Sequence, residues 1–316
     1  MRLCRFESNG TTCLGFYGDD HVISVDSAAD AYRSATANPL EPFNTDCLLD
    51  LLPPNGKVAE HAKLVSDWIS QNEDSIGGIK QAVESVSLLM PIPRPNKLFL
   101  LAGNYAAHVE EGGDTAVERA ETFPYVFMKP PTTTLRSPNQ TVSIPSVSPA
   151  GIDYELELAV VIGKECKSVN EADALSYVAG YTVINDISDR RFRPNPNRRE
   201  RERDKFFDWL HGKWHDGFCP CGPCITSSCQ IPNPQTLAMQ LRVNDEIRQD
   251  ASTSLQVFSV AAVIEFISSF VTLEPGDIIS TGTPAGVGAP KGIFLKSGDT
   301  VSAQIESIGT LKTLFQ

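Results

Sequence analysis

The stretch Asp153-Tyr154-Glu155-Leu156-Glu157-Leu158-Ala159-Val160-Val161-Ile162-Gly163 decides how this chain is read. Successive side chains of a strand leave on opposite faces. Tyr154, Leu156, Leu158, Val160 and Ile162 therefore share one face, and Glu155, Glu157, Ala159 and Val161 share the other. Two carboxylates two positions apart repel one another, and unpaired they must protonate or face solvent. A hard divalent cation resolves that conflict. Ala159 and Val161 continue the acidic face as apolar residues, so burial is expected just beyond the pair. Pairing with Lys or Arg, or an exposed edge face, is the alternative, and spacing alone leaves it open. Asp186 closes the apolar run YTVIND (181–186) and supplies a further carboxylate at a strand end.

Outward from this stretch, strand signals dominate. LFLLAG (98–103), YVFMKP (125–130), DIIS (277–280) and the alternating TVSAQIES (300–307) are short and bounded by turn residues. Ser168 and Glu171 have capping-box spacing ahead of a short helix over EADALSYVAG (171–180). Val257, Val260, Ala261, Ile264, Ile267 and Val271 predict a helix over 256–271. Towards the N-terminus, CLGFYGDDHVISVDS (13–27) predicts a small sheet around the turn Gly18-Asp19-Asp20. Val58, Ala62, Val65, Trp68 and Ile69 predict a helix over 57–74. Pro91, Pro93 and Pro95 suit neither a helix nor a central strand. They mark a boundary between a small N-terminal α+β domain, 1–90, and a strand-rich α+β domain, 91–316. A βαβ repeat does not fit.

The 316 residues carry a net charge of −12, with 41% hydrophobic and 21% charged residues. This composition is globular, and an overall basic footprint for nucleic acid or anionic membrane is absent. No run approaches the roughly 20 apolar residues of a membrane span. The opening MRLCRFESNG has no apolar signal core. Eight cysteines without such a signal read as reduced thiols. The expectation is a soluble cytoplasmic protein with no nucleic-acid or membrane partner.

Several blocks together resemble the fumarylacetoacetate hydrolase family. They are GNYAAH (103–108), DYELELAVVIG (153–163), VAGYTVIND (178–186) and Gly212-Lys213, followed by Gly222-Pro223, Val243-Asn244 with Arg248-Gln249, LEPGD (273–277) and TGTPAGVG (281–288). They cover about residues 91–312 in the family's order, as in its shorter members with a small variable N-terminal domain. The resemblance implies a mixed β-roll catalytic domain, usually a homodimer. It also implies Mg²⁺, with Mn²⁺ or Ca²⁺ as substitutes, held by Glu155, Glu157 and Asp186. Family substrates are 2-oxo carboxylates, whose carboxylate and 2-oxo oxygens chelate one cation, polarising the carbonyl.

His108 precedes Glu111 by three residues, which puts both on one face of a helical turn. A carboxylate orients an imidazole and suits it to act as a base towards water. In the family such a pair sits in a segment that orders over the substrate, and Gly112-Gly113 would let it move. Lys129, Arg190 and Lys213 match basic positions facing the substrate, with salt bridging to the carboxylates as the plainer reading. Thr283, in the Thr281-Gly282-Thr283 turn, offers hydroxyl and backbone donors to a carboxylate.

The expected activity is C–C bond hydrolysis of an acylpyruvate or diketo acid, with His108, Glu111 and Lys213 catalytic and Lys129, Arg190 and Thr283 binding substrate. Oxaloacetate decarboxylation or tautomerisation and 2-hydroxyhepta-2,4-diene-1,7-dioate-type isomerisation are the enzymatic alternatives. A catalytically silent binding protein of the same fold is the non-enzymatic one.

Other signals carry less. Cys219, Cys221, Cys224 and Cys229 have partial metal-site spacing but read as small buried hydrophobes. His211 and His215 have helical zinc spacing without the accompanying glutamate. The run RRFRPNPNRRERERDK (190–205) alternates Arg with Glu and Asp and reads as self-paired surface charge. Asp189-Arg190-Arg191, Trp214-His215 and Cys221 depart from the family's usual residues around the pocket, so they bear on substrate choice.

Overall fold

A computed structural model describes residues 1–36 and 40–316. Its organising element is the strand Leu156–Ile162, which is buried on both faces. Leu156, Leu158, Val160 and Ile162 enter one apolar core, and Ala159 and Val161 enter a second. The alternation in the sequence thus separates two cores rather than core from water.

Leu156–Ile162 pairs antiparallel with Val178–Asn185 on one side, Leu156 opposite Asn185. On the other side it pairs with Ile278–Ser280. The sheet continues through Leu98–Ala102, parallel to Ile278–Ser280, and ends at Tyr125–Met128. In the opposite direction Val178–Asn185 pairs with Cys219–Ser227, and Cys219–Ser227 with Arg2–Ser8. Thr11–Tyr17 and His21–Ser24 extend the sheet as a meander, turning at Gly18-Asp19-Asp20, where Gly18 N–H donates to the His21 carbonyl at 2.7 Å. Residues 91–97 are irregular, and strand pairing runs across them through Leu3 opposite Ile225. A second sheet, centred on Ala238–Val243 and Thr300–Ile305, closes over the Leu158 face with Met239, Leu241 and Val301. The result is mixed α+β, with large sheets and few helices.

Two helix expectations shift. The helix expected over 256–271 spans Val260–Phe270, because Ser259 Oγ accepts the Ala262 N–H at 3.1 Å and caps it. Val257 lies outside and donates its N–H to the Asn104 carbonyl instead. The capping box does not form: Ser168 adopts φ 52°, and the Glu171 carboxylate accepts from Arg119 and Ser259 rather than reaching back. The α-helix covers only Glu171–Ala174, and by Val178 the chain is already a strand. The helix Gly56–Gln71 forms much as its stripe predicts. Among the described residues no helix is long and apolar enough to cross a membrane.

Candidate active site

Strand register assembles the acidic cluster. The Asp186 N–H donates to the Glu155 carbonyl at 2.9 Å, and the Glu155 N–H donates to Asn185 Oδ1 at 3.0 Å. The turn after Val178–Asn185 is thereby fixed against the residue that opens Leu156–Ile162. Glu155, Glu157 and Asp186 are all buried, and each offers an oxygen within 4.8 Å of the other two.

Three cations surround them. Lys213 Nζ donates to Glu155 Oε2 at 2.8 Å and also to Asp186 Oδ2. Its ammonium lies over the Phe127 ring at 5.2 Å. Lys129 Nζ lies 2.5 Å from Asp186 Oδ1, an ion pair without hydrogen-bond alignment. It donates instead to the carbonyls of Ile187 and Phe218, at 2.9 and 2.6 Å. Arg190 donates to Asp153 Oδ2 at 3.0 Å and to Glu155 Oε1. The Lys/Arg pairing left open by the sequence is therefore present for Glu155 and Asp186. It does not reach Glu157.

Glu157 accepts from Ser280 Oγ at 2.6 Å and from the Gly282 N–H at 3.0 Å, both at Oε2. Its Oε1 is buried without a partner among the described residues. Burial pushes this carboxyl up, and Asp186 and Glu155 beside it push the same way. Burial pushes Glu155 up too, but Lys213 and Arg190 more than offset it and hold Glu155 below the usual carboxylate range. A buried carboxylate oxygen with no partner is costly. A hard cation shared by three carboxylates would satisfy it, so the donor set fits a hard divalent cation.

His108 and Glu111 sit on the helix Ala106–Glu111, with Nδ1 and Oε1 2.9 Å apart. A carboxylate only accepts, so Nδ1–H is the donor in this pair, and in the neutral ring the lone pair is then on Nε2. The Gly286 N–H donates to Glu111 Oε2 at 2.9 Å, tying this helix to the TGTPAGVG turn. Gly286 has φ 108°, and a Cβ there would meet the Arg248 carbonyl at 2.1 Å, so only glycine brings the backbone this close. His108, Glu111 and Arg190 line one cleft of about 560 Å³.

Lys129, Lys213 and Thr283 are buried rather than cleft-lining, and Thr283 Oγ1 accepts from Gln249 Nε2 at 2.8 Å. Gln249 also accepts from the Leu156 N–H at 2.9 Å, so it ties the turn to the central strand. Gln249, Ser280, Asp153 and Ser188, whose Oγ donates to Glu155 Oε1 at 3.0 Å, join the site without having been expected in it. Asp153 holds Arg190 and accepts from the Gly288 N–H at 2.7 Å. It opens the deciding stretch and Ser280 directly precedes TGTP, so adjacency to those blocks was the available signal. A larger cleft, about 1160 Å³, lies between the N-terminal strands and the helix Gly56–Gln71, away from this cluster.

Cys219, Cys221 and Cys224 lie on the buried strand Cys219–Ser227, the first two facing one core and Cys224 the other. Burial pushes Cys221 and Cys224 up to about 12, and Cys219 well up too. The thiolate is the reactive form. An aromatic disulfide reagent at about pH 8 should therefore label exposed Cys47 and Cys229 in the native protein. The strand thiols should wait for denaturant; mass-mapped labelling of Cys219, Cys221 or Cys224 as fast as Cys47 would contradict this placement. His215 pairs with Asp189 at 3.2 Å and the His211 ring lies tilted against Trp214, so the two histidines have separate neighbours. In the basic run, Arg193 pairs with Glu200 and Arg198 with Asp204 and Asp208, as the alternating charges imply.

The family model described as fumarylacetoacetate (FAA) hydrolase C-terminal matches residues 97–316. The chain is 38% identical over 269 residues to an oxaloacetate tautomerase of Bacillus subtilis (strain 168), covering 84% of each. It is 39% identical over 224 residues to a 2,4-didehydro-3-deoxy-L-rhamnonate hydrolase of Sphingomonas sp. (strain SKA58), covering 70% of this chain and 73% of that one. A solved fumarylacetoacetate hydrolase from psychrophilic Exiguobacterium antarcticum superposes with a TM-score of 0.75 at 28% identity, covering 100% of this chain and 99% of that one. These relatives carry out different reactions, yet the match runs through the strands that build the acidic cluster and the turn that holds Glu111. The chain belongs to the fumarylacetoacetate hydrolase family.

Proposed function

We propose that this chain is a Mg²⁺-dependent enzyme that hydrolyses a C–C bond in a small 2-oxo carboxylate, an acylpyruvate or related diketo acid. The observation that carries the reading is the His108–Glu111 pair, held by Gly286 N–H in the same cleft as Arg190, whose guanidinium reaches Glu155. Glu155, Glu157 and Asp186 would hold the ion. When bound, it supplies charge that polarises the 2-oxo carbonyl.

The chain's own residues do the rest. His108 takes a proton from water at Nε2, while Glu111 fixes the ring through Nδ1 and stabilises the imidazolium. The water oxygen adds to the remote carbonyl carbon, the C–C bond breaks, and the carbon released from it takes up a proton that His108 can return. Lys213, between Glu155 and Asp186, faces the negative charge that develops on the substrate. Arg190 steers the substrate carboxylate, Lys129 holds Asp186, and Thr283 orders the turn beside Glu157.

A second reading is oxaloacetate tautomerisation or decarboxylation, favoured by the tautomerase relative that matches 84% of the chain. There His108 would shuttle a proton between carbon and oxygen, or stand aside, and no water would add. A panel of acylpyruvates and oxaloacetate with and without Mg²⁺ separates them. Mg²⁺-dependent cleavage of an acylpyruvate at kcat/KM above oxaloacetate turnover is expected. Turnover of oxaloacetate alone selects the second reading, and turnover of neither refutes both.

A further inference from the structure

We propose that the cleft selects a 2-oxo carboxylate whose remote end is apolar, an aryl or alkyl acyl group rather than a second carboxylate; this rests on the C–C hydrolase reading above. The cleft's lining is of two kinds. His108, Glu111 and Arg190 hold one part of its wall, and Val117, Phe123 and Tyr125 another. Those three apolar side chains are 45%, 58% and 61% exposed. Exposed apolar groups lining the same cleft as polar ones mark a place where a ligand buries hydrocarbon. The wall is also braced: Phe123 meets Tyr125 edge-on at 5.3 Å and stacks on Phe266 at 6.1 Å, so its ring is held against the helix Val260–Phe270.

Charge argues the same way. Among the described residues lining the cleft, Arg190 is the one Lys or Arg; beyond its pairs with Asp153 and Glu155, the reading above commits it to the carboxylate next to the 2-oxo group, which leaves none for a second one. Glu111 and Asp114 line the cleft as well. A remote carboxylate would lose its water, find no free cation and face two like charges. An apolar tail loses nothing and gains about fourfold in binding for each methylene it buries. Water adds to the acyl carbon and the C–C bond breaks, so the products are an apolar carboxylic acid and the small 2-oxo acid.

The test is a series of 2,4-dioxo acids with methyl, n-pentyl, phenyl or carboxyethyl tails, assayed with Mg²⁺ on wild type, Phe123→Ala and Val117→Arg. All the altered side chains are solvent-exposed, so folding is retained. Wild-type kcat/KM should rise at least about tenfold from methyl to pentyl and phenyl, and fall below methyl for carboxyethyl. Phe123→Ala should shrink the phenyl-to-methyl ratio about tenfold, and Val117→Arg should raise the carboxyethyl-to-phenyl ratio. Equal rates along the series, or a wild-type preference for carboxyethyl, overturns the proposal. If none of the four is cleaved, the hydrolase reading fails, and calorimetry on the Mg²⁺-loaded protein decides the tail question separately. Tighter binding of 2-oxo-4-phenylbutanoate than of 2-oxoglutarate supports an apolar subsite; equal or reversed affinities overturn it.

Discussion

Glu157→Gln should lose Mg²⁺ affinity by more than the roughly 10–100-fold typical of a residue one step removed from a metal. It should also lose turnover by at least about 10³, since a Lewis-acidic ion supplies several kcal/mol of transition-state stabilisation. The substitution is isosteric, and the amide keeps an acceptor for Ser280 Oγ and Gly282 N–H, so the fold around it stays intact. The metal-free protein should respond in the opposite direction. Glu157 is buried with Oε1 unpartnered and with Asp186 and Glu155 beside it. Replacing it removes a costly group, so metal-free Glu157→Gln should melt no lower than metal-free wild type. Calorimetric titration and thermal melts with and without Mg²⁺ read both signs. Glu155→Gln should differ, because Lys213 and Arg190 would each lose one of two anions, keeping only Asp186 and Asp153, so this variant should melt below metal-free wild type. A Glu157→Gln protein that melts well below wild type without metal would mean that its carboxylate is satisfied in some other way.

His108→Ala should reduce hydrolysis of a cleaved acylpyruvate by about 10²–10⁴, the usual contribution of a positioned base. Its Mg²⁺ affinity should match wild type, because the imidazole is paired with Glu111 and is not among the three carboxylates. Glu111→Gln should cost less. It keeps an oxygen for the Gly286 N–H but weakens the partner that fixes the ring. Steady-state kinetics of the two variants beside Mg²⁺ titration check this order. Full hydrolytic activity in His108→Ala would remove the base from this account, whereas loss of hydrolysis with oxaloacetate turnover retained would place both chemistries on one site.

How far the sequence was legible follows from the range of the forces involved. The acidic face of residues 155–161 was legible because strand alternation is local, and the two cores on its two sides obey it. The His108–Glu111 pair was legible for the same reason, one helical turn being its whole geometry. What Glu157 lacks was not legible. Whether Lys213, Lys129 or Arg190 reaches a given carboxylate depends on segments 27 to 58 residues away in the chain. The clamp on Glu111 spans 175 residues, and Gln249 meets Leu156 across 93. The N-terminal segment shows the same limit. Its own turn at Gly18 was predicted, but nothing local in Arg2–Ser8 says that it pairs with Cys219–Ser227. Where local signals failed, tertiary partners had won: Glu171 spends its carboxylate on Arg119 and Ser259, and Val257 bonds to Asn104.

Anomalous scattering from crystals soaked in Mn²⁺ locates the ion without reference to activity. One strong peak is expected among Glu155, Glu157 and Asp186, and none in Glu157→Gln crystals. Mn²⁺-supported turnover with no peak at these carboxylates, or an undiminished peak in Glu157→Gln, would contradict this placement of the ion.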